Sequence, residues 1–166
     1  MNHWKRKKIF VLLTMTLGFW PLAALSKSEY TPNPYAGNFG LGLELGDPAS
    51  WGITGKLWVD RTNAFQGAVK LGDSLAILQL DYLWHDFDLI HIKNGDAFPF
   101  YIGVGGNLDL HTPVALAGRL PVGLSYIFRK KHLPLDIYLQ LVPTLWFYSG
   151  GTDFQIYPEL GAHFYF

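Results

Sequence analysis

Gln155-Ile-Tyr-Pro-Glu-Leu-Gly-Ala-His-Phe-Tyr-Phe166, the stretch that closes the sequence, alternates between two kinds of side chain. Ile156, Leu160, Ala162, Phe164 and Phe166 fall on one face of a strand with period two, with Pro158 in the same row. Gln155, Tyr157, Glu159, Gly161, His163 and Tyr165 fall on the other. One face is greasy and the other is polar or small, so this segment reads as a strand with two different surroundings.

The same alternation recurs upstream. Phe39, Leu41, Leu43 and Leu45 oppose Gly40, Gly42, Glu44 and Gly46, and Asp47-Pro48-Ala49-Ser50 has turn chemistry. Trp51, Ile53, Leu57 and Val59 oppose Gly52, Thr54, Lys56 and Trp58, closed by Asp60-Arg61-Thr62-Asn63. Phe65, Val69 and Leu71 oppose Gln66, Ala68 and Lys70, with a turn at Gly72-Asp73-Ser74. Ala76, Leu78, Leu80, Tyr82 and Trp84 oppose Ile77, Gln79, Asp81, Leu83 and His85. The phase slips near His85 and Asp86, where a bulge is expected before the strand runs on from Phe87 to Ile92. Lys93-Asn94-Gly95-Asp96 carries the Asn-Gly hairpin signal.

Phe98, Phe100, Ile102, Val104 and Leu108 then oppose Tyr101, Gly103, Gly105, Asn107 and Asp109. Leu116, Leu120, Val122, Leu124, Tyr126 and Phe128 oppose Ala117, Arg119, Pro121, Gly123 and Ser125 in one further strand. A basic turn, Arg129-Lys130-Lys131-His132, leads to Leu135, Ile137, Leu139 and Leu141 against Asp136, Tyr138, Gln140 and Thr144. Ser149-Gly150-Gly151-Thr152-Asp153 turns into the terminal strand. The expected fold is all-β, a closed antiparallel transmembrane β-barrel of about eight strands of roughly ten residues, in meander topology with short connections.

A soluble barrel with its apolar face inward is the structural rival. Its exterior should be rich in Lys, Glu and Thr, whereas the polar face here is mostly Gly, Ala, Ser and Tyr with scattered charges, which suits a narrow, crowded lumen. The apolar face has large residues in nearly every slot. Aromatic residues gather near strand ends (Trp51, Trp84, Phe98, Phe128, Phe147, Phe154, Phe166), as interfacial girdles do.

Residues 1–26 read as a cleaved signal peptide: Lys5, Arg6, Lys7 and Lys8, an apolar run from Ile9 to Trp20, and Ala24 and Ser26 before the expected cut. The apolar run is shorter than the roughly 20 residues of a spanning helix. Residues 27–37 are polar and Pro-bearing, an expected exposed lead-in, and 38–166 are expected to form the barrel. Removing the four basic leader residues leaves 9 Lys and Arg against 13 Asp and Glu, a net charge of −4, which argues against nucleic acid as a partner. The chain has no Cys, so neither a disulfide framework nor a lipid-bearing N-terminal Cys is expected.

With these residues in view, the last eight positions resemble the C-terminal assembly signal of bacterial outer-membrane barrels: Glu159, Gly161 two places on, and aromatics at Phe164 and Phe166. The whole stretch after the leader resembles small outer-membrane barrels of the OmpX and OmpA-transmembrane-domain kind. Gly40–Gly46, Asp81–Leu89 and Pro121–Phe128 are similar to a family of such barrels of unassigned function. The resemblance implies an integral outer-membrane location with both termini periplasmic, insertion by the barrel-assembly machinery, outer-membrane lipids as neighbours and a monomeric state. It transfers no catalytic residue, and the short connections set the chain apart from OmpX-like proteins with long adhesive loops.

The lumen-facing charges are Glu44, Lys56, Lys70, Asp81, Arg119, Asp136 and Glu159, with His85 and His163. Ring closure sets Glu159 beside Glu44, and two buried acids need Lys56 or Arg119 nearby to remain ionised. An interior ion-pair network that plugs the lumen is therefore expected, in a non-enzymatic protein with a structural or small-ligand-binding envelope role. A narrow pore gated by such pairs is one alternative. Another is a lipid-modifying enzyme, similar to a lipid A deacylase, with Ser149, His111 and Asp153 at the outer rim beside Ser50 and Ser74. The local His-Ser motif of the deacylases is missing, and Ser, His and Asp are ordinary turn residues. His85, Asp86, Asp88 and His91 could be read as a metal cluster, but alternation sends His85 and Asp86 to opposite faces, so neither metal nor cofactor is expected. The turn from Arg129 to His132 reads equally as a solvated charge run or as a segment that would meet phospholipid phosphates.

Overall fold

The computed structural model describes residues 33, 37–49, 51–72, 75–90, 95–111, 113–130 and 132–166. The leader, most of the lead-in, Ser50, Ser74 and His91 lie outside them. Among the described residues nine strands form: β1 Phe39–Gly46, β2 Trp51–Trp58, β3 Asn63–Gly72, β4 Leu75–Asp86, β5 Phe100–Asp109, β6 Ala115–Arg119, β7 Val122–Ile127, β8 Leu135–Tyr148 and β9 Gly151–Tyr165. All their pairings are antiparallel. Neighbours in sequence pair in turn except β6 and β7, and β1 pairs with β9 from Gly40↔Tyr165 to Gly46↔Glu159. The hydrogen bonds thus run in a ring through eight strand positions, β6 and β7 sharing one of them between β5 and β8. No helix is present among the described residues.

The single strand expected through Leu116–Phe128 is split because Pro121 has no N–H to donate. Pairing continues around the gap: Gly103 N–H donates to the Pro121 carbonyl at 2.8 Å, and Leu120 N–H to the Pro143 carbonyl at 3.0 Å. Parity survives the break, with Arg119 and Gly123 inside and Leu120 and Val122 outside.

A second departure is at the end of β4. The strand stops at Asp86 and does not run on through Phe87 to Ile90. The cause is local: Asp86 Oδ1 accepts the N–H groups of Asp88 at 2.8 Å and Leu89 at 3.1 Å, turning the backbone away from the ladder. The connection to β5 accordingly spans residues 87–99, longer than the short turn expected. Gly95 within it has φ +83°, a conformation glycine takes without a Cβ penalty. Asp60 organises the opposite turn of the same rim in the same way, accepting from the N–H groups of Thr62 and Asn63, both at 2.8 Å. The Asn63 side-chain amide, with those N–H groups, holds the Asp60 carboxyl below the usual carboxylate range.

In the lead-in, Asn33 is fully buried and its Nδ2 donates to the Phe128 carbonyl at 2.7 Å, so that residue is not the exposed one expected.

The sides of the ring are inverted relative to a water-soluble protein. Outward residues on every strand are apolar and open, among them Leu43 (62% exposed), Ile53 (58%), Leu80 (60%), Leu116 (58%) and Leu139 (57%). Inward residues include all seven charges expected there, none more than 2% exposed.

Candidate functional site: the ion-paired interior

Inward parity on seven strands brings the expected charges into the interior. Lys70 from β3 sits between two carboxylates, its Nζ 3.0 Å from Glu44 Oε1 and 2.7 Å from Glu159 Oε1. These acids come from β1 and β9, the strands that close the ring. Arg119 on β6 reaches Glu159 Oε2 with Nη2 at 2.6 Å and Asp81 Oδ1 with Nε at 3.1 Å, and its Nη1 donates to Asn107 Oδ1 at 3.1 Å. Neutral donors add further hydrogen bonds: Tyr138 OH and Gln66 donate to Glu44, Gln140 to Glu159, and Gln79 to Asp81 and Glu44. Tyr101 OH in turn holds Gln140 at 2.8 Å. Buried charge persists where each ion has both an opposite partner and hydrogen bonds, and this cluster provides both.

Of the two cations expected beside the Glu44–Glu159 pair, Arg119 is there and Lys56 is not. The Lys56 Nζ lies 3.7 Å from Asp136 Oδ2 and over the rings of Trp58 (4.7 Å) and Tyr101 (5.5 Å). Asp136 is the centre of a second cluster nearer the end of β9. It accepts from His163 Nδ1 at 2.9 Å and from Tyr165 OH at 2.7 Å, and Trp58 Nε1 donates to Tyr165 OH at 3.0 Å. His163 stacks on Tyr138 at 5.0 Å between centroids, which joins the two clusters.

Apolar groups cap the interior at both ends. Trp58, Ala64, Ala97, Ile127 and Tyr165 pack together at the end where β1 begins and β9 finishes, with Phe87 against them. Ile77, Ala115, Ala117, Trp146 and Tyr157 pack at the far end with Ala49 folded in, and Trp146 Nε1 donates to Tyr157 OH at 3.1 Å. Sequence alternation assigns Trp58 and Ile77 to the inner face without indicating that they seal it.

The rim candidates for hydrolysis remain apart. Ser149, His111 and Asp153 are all exposed, and no hydrogen bond joins them. Asp153 Oδ2 takes the Gln155 amide at 2.7 Å, and His111 N–H donates to Asp109 Oδ1 at 2.9 Å. A different row, Thr54–His163–Asp136, has the order of a nucleophile, base and acid, with Thr54 Oγ1 3.2 Å from His163 Nε2. Its three residues are 0–1% exposed, and Thr54 Oγ1 also bonds the Gly67 carbonyl at 3.1 Å, so a substrate carbonyl has no approach to the hydroxyl. The row is a packing element that sequence spacing could not reveal, since its members are brought together by ring closure.

His85 is buried and Asp86 exposed, on opposite faces as alternation requires. No group of three or more metal-ligating side chains forms among the described residues. Glu159 and Gly161 face inward, Phe164 and Phe166 outward. Comparison with protein-family models, with curated proteins and with solved structures finds no match for this chain.

Proposed function

We propose that this chain is an integral outer-membrane β-barrel, without enzymatic activity, that has a structural or small-ligand-binding envelope role and a lumen closed by ion pairs. The observation that carries the reading is the inversion of sides: large apolar residues open on every strand and every expected interior charge buried and paired. Water on the outer wall would leave an apolar belt far larger than a monomeric soluble protein exposes, whereas acyl chains suit it. The resemblance to OmpX-like barrels and the leader-like residues 1–26 support export to the outer membrane and assembly there by the barrel machinery.

Tryptophan gives a direct test. Trp51 and Trp84 face outward, 46% and 45% exposed, while Trp58 and Trp146 are inward and nearly sealed. In vesicles containing brominated lipid, the protein from Lys27 onward is expected to lose most of the Trp51 and Trp84 emission and to keep that of Trp58 and Trp146. Single Trp→Phe variants resolve the four contributions. Equal quenching of all four, or a folded protein that stays soluble without detergent, overturns the membrane reading.

The absence of enzymatic activity has its own test. Lipid A and phospholipid mass spectra of host cells are expected to be unchanged by expression of the folded protein. A chain-sized mass shift that disappears in Ser149→Ala or His111→Ala would make it an enzyme of the outer rim.

A further inference from the structure

The outward faces of β7 and β8 carry two features that meet. The first is an apolar groove of about 500 Å³ in the outer wall, lined by Phe100, Val122, Leu124, Leu139, Leu141 and Pro158 among others. Register explains its shape. Val122, Leu141 and Pro158 are successive partners across β7, β8 and β9, while Phe100, Leu124 and Leu139 are successive partners across β5, β7 and β8, one step nearer the end of β9. Gly123 and Gln140, which lie between the two rows, are buried on the inner face, so backbone forms the floor.

The second feature is the β7–β8 turn, Arg129-Lys130-Lys131-His132. The outward row of β7 leads from the groove to it through Leu124, Tyr126 and Phe128. The rings of Tyr126 and Phe128 meet edge-on at 4.7 Å between centroids, and Phe98 lies 6.1 Å from Tyr126. Backbone bonds hold the turn: Phe128 N–H donates to the Leu135 carbonyl at 2.9 Å, Arg129 N–H to Asp96 Oδ1 at 3.0 Å and Leu133 N–H to the Lys130 carbonyl at 3.1 Å. Asp96, the acid beside the turn, is 7% exposed and also accepts from Tyr126 OH, whereas Lys130 is open to the outside. The acid is turned in and the cation out.

Charge is distributed to match. Beyond residue 37, each Lys or Arg outside the interior, Arg61, Lys93, Arg129, Lys130 and Lys131, falls in a connection at the rim where β1 begins and β9 finishes, and the sequence of the opposite connections holds none. The run at the β7–β8 turn is the densest of these. Lys130 lies six positions beyond Leu124, roughly 20 Å along an extended strand and about 14 Å in depth at a tilt near 45°. One leaflet of the hydrocarbon core is about 15 Å thick. A lipid whose phosphate sits at Lys130 can therefore lay a chain along Phe128 and Tyr126 as far as the groove.

We propose that this wall is a binding site for an anionic phospholipid, the headgroup phosphate meeting Lys130 at the turn and one acyl chain running past Phe128 and Tyr126 into the groove. The site rests on the membrane reading, which supplies the lipid. Headgroup charge sets the selectivity: phosphatidylglycerol is net negative, whereas in phosphatidylethanolamine an ammonium beside the phosphate opposes the lysines.

The test uses the folded protein from Lys27 onward in nanodiscs of equal parts phosphatidylglycerol and phosphatidylethanolamine, with retained lipid counted by native mass spectrometry. Phosphatidylglycerol is expected to be favoured about fivefold for each lysine engaged. The preference should vanish in the Lys130→Gln/Lys131→Gln variant and persist in Lys93→Gln, which removes a cation from the β4–β5 connection at the same rim. Pro158→Leu, whose longer side chain enters the groove, is expected to lower retention of both lipids severalfold and keep their ratio. Unfolding in urea, read alongside, checks that each variant is folded. Equal retention of the two lipids, a preference that survives the double variant, or one that Lys93→Gln removes as fully, overturns the site and leaves the membrane reading standing. Unchanged retention in Pro158→Leu overturns the part given to the groove. Failure of the folded protein to enter nanodiscs overturns the site and the membrane reading together.

Discussion

Arg119→Ala is expected to lower the unfolding free energy by about 3–5 kcal/mol, the penalty of leaving buried ions without their partner. Arg119 is 2% exposed and serves Glu159, Asp81 and Asn107 at once. Its removal leaves Lys70 as the remaining cation in a cluster with three carboxylates, Glu44, Asp81 and Glu159. The urea midpoint of protein folded in detergent micelles, followed by Trp emission, reads the loss. A compensated variant, Arg119→Met with Asp81→Asn and Glu159→Gln, should recover most of it, because neutral amides cost far less to bury than carboxylates. A loss below about 1 kcal/mol would mean the interior is wet enough to screen these charges, as at an exposed pair. Single-channel recordings of the unsubstituted protein are expected to be silent, because the caps around Trp58 and Trp146 lie on either side of the charged layer.

Gly42→Val is the second large effect. A Cβ built at Gly42 runs into the carbonyl oxygen of Ala162 on β9, a backbone atom that cannot swing aside. Gly42 pairs with His163 in the ladder that joins the first strand to the last. The substitution therefore opens the seam that closes the ring, at a cost of about 3 kcal/mol, the upper end of the range for overpacking. The heat-modifiable fraction on unboiled gels is expected to fall sharply. Gly118→Ala is the control: nothing lies within 4 Å of a Cβ there, and its effect is expected to stay within about 0.5 kcal/mol. If Gly42→Val folds as well as Gly118→Ala, β1 and β9 do not approach as closely as described.

Which residues face inward is legible from alternation alone, because a strand has a fixed period of two and the chain rarely departs from it. Even Trp58, a large apolar residue, falls on the inner face by position. What local sequence does not carry is which ion meets which. Lys56 and Lys70 both face inward on neighbouring strands, but Lys56 pairs with Gln66 and Lys70 with Gly52, so they sit at different levels, one by Asp136 and the other bridging Glu44 and Glu159. That choice depends on the stagger between strands, which is set when β9 meets β1. The end of β4 escapes for the opposite reason. The apolar pattern of Phe87 to Ile92 masks a short-range competitor, the Asp86 carboxylate, that captures the backbone donors before the ladder can. The break at Pro121 is written in the sequence, but alternation that continues across it hides its effect.

The flanks of the ring differ in length: β1 and β2 have eight residues each, β8 and β9 fourteen and fifteen. At about 3.4 Å per residue and a tilt near 45°, the short flank spans only about 19 Å and the long flank about 35 Å. A bilayer of uniform thickness cannot match both. The molecule would lean, or draw the two leaflets together along the β1–β2 side, and so carry a zone of thinned, loosely packed lipid with it. On the membrane reading proposed above, the inequality of its walls would make this protein a local perturbation of the bilayer as well as a resident of it.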